Sequence, residues 1–540
     1  MKKYITFICF ALLFHSASAQ FDIQTIAEKT NYTSTSTYAD VMQFISALES
    51  SPLIRIENFA TTIEGKELPL LIIADPMPES PKDLTNDERI VVYLQANIHA
   101  GEVEGKEAAQ MLARDFLHNK YPGILEDVVL LICPILNADG NDKMDTTNRI
   151  NQIGPVNGVG VRYNGQFLDL NRDAMKLETP EIRGVVENIF NQWDPAITVD
   201  CHTTNGSYHE EPVTFTWMMN PNGNRALINY MRDDLMPEVS EMLLSKYGVE
   251  NVFYGEFIDR LNIDKGWISY ACEPRYLVNY VGVRNRLAIL NENYVYADFK
   301  TRINGSYHLL VSILEYAASH KNEIKDMIAE VDRLTIERGL NPAASDSFAI
   351  EYRGVPTPEP VTIKAFEADT IPGVKGYWRY KQSDRKRTVT VPYIADYYPT
   401  KSVKFPYAYL ITVPDPQVID MLITHGIQIE HLAHNTTLEV EGFKFESIQP
   451  SSRLFQGHYP NQIEGEAVTA TKEFSEGAIV IRTAQPLGSL IAYLLEPLSD
   501  DGLLKWNFFD NYLVSQWGGQ YYPYPVYKVI SHTAIETHTK

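Results

Sequence analysis

His99 and Glu102 stand three residues apart, directly after the apolar run Ile90 to Ala96 (IVVYLQA). At that spacing an imidazole and a carboxylate reach one point from a tight turn or a helix start. Both are good ligands for Zn²⁺. His202 follows a second apolar run, Ala196 to Asp200 (AITVD), and Glu292 follows a third, Leu287 to Asn291 (LAILN). Two histidines, one carboxylate and a further glutamate match what a catalytic zinc site needs: three protein ligands, an open position for water, and a general base. Between them lies Leu168 to Asp173 (LDLNRD). Its Asn171-Arg172 pair sets an amide beside a planar fork, which suits a substrate carboxylate. Arg172 has a second reading, as an ion-pair partner of Asp173 or Glu178. Asp169 suits the second ring nitrogen of a ligating histidine.

Spacing alone does not single out this site. His320 and Glu323 repeat it, but inside a long helical pattern of alternating charges, where the pair reads as a solvated face. The elements make the difference. Ile90 to Ala96, Val128 to Ile135 (VVLLICPI), Ala196 to Asp200 and Leu287 to Asn291 are short apolar runs bounded by polar residues, the pattern of buried strands. Helical patterns alternate with them: Gly105 to His118, Pro180 to Trp193 with Thr179 as N-cap, Asn224 to Tyr247, and Thr301 to Glu337. That alternation predicts an α/β fold with a mixed, largely parallel sheet flanked by helices. His99, Glu102, His202 and Glu292 then all fall at the C-terminal ends of strands, where open α/β sheets bind ligands.

The pattern changes near Asn341. Residues 341–360 hold four prolines and no helical period, and read as a linker. Residues 361–540 alternate in short segments (Val361 to Phe366, Arg387 to Ile394, Thr437 to Phe445, Ala478 to Arg482), with one helical interruption at Pro416 to His425. They predict a smaller, mostly β, sandwich-like domain. The chain of 540 residues carries 47 Lys+Arg against 69 Asp+Glu, a formal charge of −22. That acidity argues against nucleic acid as a partner and against a polybasic membrane surface. At the other end, Lys2-Lys3, the apolar run Tyr4 to Phe14 and Ala17-Ser18-Ala19 form the pattern of a cleavable signal over residues 1–19. The apolar run falls well short of the roughly 20 residues a membrane span requires. Removing it takes away two lysines and no acids, so the mature charge is two units more negative. The expectation is a secreted or periplasmic protein with no membrane span. Cys133, Cys201 and Cys272 then remain, as one disulfide plus a thiol or as three buried thiols.

Taken in order, His99-x-x-Glu102, Asn137-Ala138-Asp139-Gly140, Asp169-x-Asn171-Arg172, His202 and Leu290-Asn291-Glu292-Asn293-Tyr294 resemble the motif series of the zinc carboxypeptidase family, the peptidase family of carboxypeptidase A. Glu64-Gly65-Lys66 resembles the Glu-Gly-Arg stretch that precedes the first metal strand there. The resemblance covers residues 20–340; the later segments are similar to the β-rich tail of large secreted bacterial members. It implies a zinc-dependent metallopeptidase with one Zn²⁺ held by His99, Glu102 and His202. It further implies that Glu292 is the general base, that Asn171 and Arg172 hold the C-terminal carboxylate of a peptide or amide substrate, and that Asp169 orients a zinc histidine. Where digestive members carry the oxyanion arginine, three residues after the first arginine of Asn148-Arg149, this chain has Gln152. Arg149 or Arg162 is left to supply that charge. Tyr270, Tyr276 and Tyr280 are all candidates for the family's substrate-binding tyrosine. Two other readings compete: a zinc amidase on the same fold acting on acyl-amino acids or peptidoglycan peptides, and a non-catalytic surface binding protein. Retention of both the ligand set and Glu292 speaks against the last.

Overall fold

The four apolar runs become the centre of one sheet. The computed structural model describes residues 23–376, 379–515 and 518–539; the signal-like residues 1–19 lie outside them. Val128–Cys133, Ile90–Ala96, Ile197–Thr203 and Leu287–Asn293 lie side by side in that order, all parallel. Every residue of the first three is buried, as expected for strands covered on both faces. Antiparallel Glu67–Ile73 and then Ile54–Thr61 extend one edge. Val213–Trp217, antiparallel to Leu287–Asn293, and then Asn251–Phe253 extend the other.

Two of these strands run further than their apolar cores. Ile197–Thr203 continues through His202, and Leu287–Asn293 continues through Glu292. In the parallel register Glu292 is the Cα partner of His202, so the two side chains are neighbours across the sheet. The helix Glu104–Leu117 packs on the sheet so closely that a Cβ on Gly105 would lie 2.5 Å from Cys201 Cβ. The pattern from Thr301 divides at His320 into the helices Phe299–Ser319 and Lys321–Leu340.

The later residues are β-rich, as expected, but they are not an appendage. Ser347–Pro356 forms a strand inside the segment read as a linker, with Phe348, Ala349 and Ile350 buried. The prolines that suggested a linker stand at its flanks, where a strand tolerates them. This strand pairs with Tyr393–Lys404, which in turn pairs with Trp267–Ile268 from the first half of the chain, and that strand with Glu256–Phe257. One sheet is therefore shared between the two halves. Val361–Thr370 and Tyr380–Val391 form a separate pair. A seven-stranded sheet has the order Asn461–Phe474, Thr436–Pro450, Val526–Val529, Ala408–Ile411, Ile479–Arg482, Glu430–Leu432, Thr537–His538. The main apolar core is continuous from Ala27 to Val526. Cys133, Cys201 and Cys272 are buried free thiols. No helix among the described residues is long and apolar enough to cross a membrane.

Candidate metal centre

The strand Ile90–Ala96 ends at Asn97, whose φ of 66° lies in the left-handed region that asparagine tolerates. Its Nδ2 donates to the carbonyls of Ala100 (3.2 Å) and Glu102 (3.3 Å), and Glu102 N–H donates to His99 O (2.9 Å). The resulting tight turn aims His99 and Glu102 at one point. His202 arrives at the same point from the neighbouring strand. His99 Nδ1 and His202 Nδ1 stand 3.1 and 3.0 Å from Glu102 Oε2, and 3.1 Å from each other. Among the described residues, His99, Glu102 and His202 are the one group of three whose ligand atoms converge within 4.8 Å.

Each histidine is held from behind. His99 Nε2 meets Asp169 Oδ1 at 3.0 Å, and His202 Nε2 meets Asp200 Oδ2 at 2.8 Å. A carboxylate on the far nitrogen fixes the ring and leaves the near nitrogen free to ligate. Asp169 caps the turn Leu170–Arg172 through Asn171 N–H and accepts from Arg162 Nε at 2.8 Å. Asp200 accepts from Gln95 Nε2 at 3.0 Å. Glu102 Oε1 is occupied by Arg149 NH1 at 2.8 Å, which leaves Oε2 facing the histidines.

These contacts set the charges. Burial opposes the ionised form of Glu102, but His99, Arg149 and His202 outweigh it and hold the carboxyl well below its usual range. Asp169 is likewise held far below by His99, Arg162 and Arg172 against its burial. His202 is pushed well above the usual imidazole value by Asp200 and Glu102, again against burial. Glu292 goes the other way: burial pushes its carboxyl up to about 8, with Glu102 adding to the rise and His202, Arg149 and Arg162 opposing it.

The centre opens into a cavity of about 190 Å³ lined by His99, Glu102, Arg162, Asn171, Arg172, His202, Tyr254, Tyr270, Tyr276, Val278, Leu290 and Glu292, among others. Asn171 Oδ1 accepts from Leu277 N–H at 2.9 Å. Arg172 lies 4.2 Å over the Tyr276 ring and donates to Asn171 O, while Asp173 pairs with Lys176 and Glu178 with His458. Neither acid proposed as its ion-pair partner engages it. Arg149 is turned away from the cavity. Its donors go to Glu102, Gln152 and the Thr203 and Thr204 carbonyls, and it crosses Gly101 where a Cβ would lie 2.7 Å from its Cδ. Arg162 is the arginine that lines the cavity on that side. Tyr270 and Tyr276 line it too, whereas Tyr280 is buried with its hydroxyl 2.7 Å from His425 Nδ1. His320 stacks on Tyr316 and faces Glu238 at 3.9 Å, outside the ligand group.

Two residues of the centre escaped sequence reasoning. Asp200 was legible, since on a strand positions two apart share a face and Asp200 precedes His202 by two. Tyr254 has no such signal.

The donor set fits Zn²⁺. Two neutral imidazole nitrogens and one carboxylate oxygen are a zinc ligand set, and tetrahedral ligands about 2.0–2.2 Å from the ion sit roughly 3.3–3.6 Å apart. The spacings of 3.0 to 3.1 Å are close to that. Beside them Glu292 Oε2 is buried with no hydrogen-bond partner among the described residues.

Residues 41–223 match the zinc carboxypeptidase family. Among curated proteins none matches in sequence. Similar solved structures include a metallo-carboxypeptidase from Burkholderia cenocepacia, 16% identical, covering 53% of this chain and 70% of that one with a TM-score of 0.39. A metallo-carboxypeptidase from Pseudomonas aeruginosa in complex with (2-guanidinoethylmercapto)succinic acid is 16% identical over 54% and 70% of the two chains, with a TM-score of 0.39. Carboxypeptidase A from Helicoverpa armigera is 13% identical over 54% and 75%, also at 0.39.

Proposed function

We propose, from the premise that residues 41–223 belong to the zinc carboxypeptidase family, that this chain is a zinc-dependent carboxypeptidase hydrolysing the C-terminal peptide bond of peptides outside the cytoplasm. One observation carries the reading: two histidines turn their Nδ1 atoms onto Glu102 Oε2 while each Nε2 is backed by its own aspartate. His99, Glu102 and His202 hold the ion. When bound there, zinc supplies a Lewis acid that polarises a carbonyl and acidifies water.

The remaining work falls to the chain. Asn171 and Arg172 take the substrate's terminal carboxylate, with Tyr276 fixing the guanidinium plane from below. Glu292 accepts a proton from the attacking water and returns it to the leaving amine. Its buried setting, which raises its carboxyl toward neutrality, suits a group that must both take and give. Arg162 faces the carbonyl oxygen as charge develops on it. Arg149 neutralises Glu102 Oε1 and so keeps the other oxygen for the metal. The signal-like residues 1–19 support export.

The test is hydrolysis of a peptide library by the native chain, with and without a chelator, and by Glu292→Gln. Release of single C-terminal residues is expected from the native chain, lost on chelation. A fall of at least about 10²-fold in kcat is expected in Glu292→Gln. Full activity in Glu292→Gln, or internal fragments as products, contradicts the reading.

A further inference from the structure

Thr436–Pro450 and Asn461–Phe474 are joined by residues 451–460, and the tip of that connection lies against residues 168–178. There Phe455 and His458 pair across a two-residue turn. Both central residues have positive φ, 52° at Gln456 and 80° at Gly457, the conformation of a type I′ turn. Glycine adopts it freely. A glutamine is held there against the Cβ clash that makes left-handed backbone costly for ordinary residues. What the position gains is a contact: Gln456 Oε1 accepts a hydrogen bond from the backbone N–H of Asp169 at 2.9 Å. The side chain of that same Asp169 holds His99 Nε2 and Arg162 Nε. A second tie flanks the first, with His458 Nε2 at 2.9 Å from both oxygens of Glu178. Behind the turn, Phe455 and His458 pack on Trp506, whose ring also faces Lys176.

We propose that Gln456, supplied by the C-terminal β region, is a positioning residue for the metal centre: it fixes the backbone of Asp169 and, through the Asp169 carboxylate, the orientation of His99. The inference rests on the zinc reading above. A turn selected for stability alone would carry asparagine or glycine at this position. Strain retained where a side chain reaches a working centre is the pattern expected of a functional constraint. The C-terminal β region is on this account part of the catalytic apparatus, reaching the metal through two hydrogen bonds in series.

Zinc affinity, read by competition with a chromophoric chelator, and the melting temperature of the metal-free chain together test this. Gln456→Gly relieves the backbone and deletes the acceptor; Gln456→Glu keeps an acceptor at the same reach. Gln456→Gly is expected to bind zinc about tenfold more weakly, with a metal-free melting temperature equal to or above the native one. Gln456→Glu is expected to keep native affinity. Native affinity in Gln456→Gly overturns the inference, as does a loss that tracks a lowered melting temperature or an equal loss in both variants. A native chain that takes up no zinc overturns the underlying reading as well, and is told apart because it fails before any substitution.

Discussion

Glu181 is a carboxylate the fold buries with one side-chain hydrogen bond, from Asn164 Nδ2 at 3.2 Å, and with no partner for Oε1 among the described residues. Burial pushes its carboxyl from the ordinary 4.5 up to about 7. The folded chain therefore keeps a proton that the unfolded chain releases. Its contribution to stability is fully present below about pH 4.5, declines as pH rises toward about 7, and is flat beyond. Glu181→Gln removes that slope. Chemical denaturation should find the variant more stable than the native chain at pH 8, by something on the order of 3 kcal/mol, and little changed at pH 4.5. The same difference at both pH values would show that the buried charge is not the cause. At this scale the site was partly legible. His99, Glu102, His202 and Glu292 announced themselves by type and strand-end position. Arg149 did not announce its direction: only the left-handed backbone at that residue (φ 49°) and the passage over Gly101 turn it onto Glu102 and away from the cavity.

The elements carry the site by close approach. The helix Glu104–Leu117 begins two residues after Glu102, and Gly105 lets its first turn rest on Cys201, the neighbour of His202. In an open helix, Gly→Ala is worth up to about 1 kcal/mol of stabilisation. Here the added methyl meets Cys201 Cβ inside van der Waals distance, and overpacking typically costs about 1–3 kcal/mol. Gly105→Ala should therefore lower the melting temperature; a rise would mean that helix propensity outweighs the packing. The central strands were legible because each is a short apolar run between polar residues. Their last residues were not, since His202-Thr203 and Glu292-Asn293 are polar and break the apolar strand pattern. Residues 347–356 were hidden for the opposite reason, by prolines at their flanks.

For the whole molecule, the C-terminal β region and the first half of the chain share elements of structure. A sheet with two strands from each half, the ion pair of Arg232 with Asp396 at 2.9 Å, and the Gln456 contact bind the C-terminal β region to the first half of the chain. Such pairings join residues far apart in sequence, and nothing in local composition encodes them. The α/β class, the order of the motifs and the convergence of the ligands were readable in advance. The tie from Gln456 was not. The central claim is that His99, Glu102 and His202 hold one zinc ion, and it is tested most directly by elemental analysis of the purified native chain beside His99→Ala and His320→Ala. The account predicts one zinc per native chain, unchanged in His320→Ala and lost in His99→Ala. Zinc retained in His99→Ala and lost in His320→Ala would contradict it.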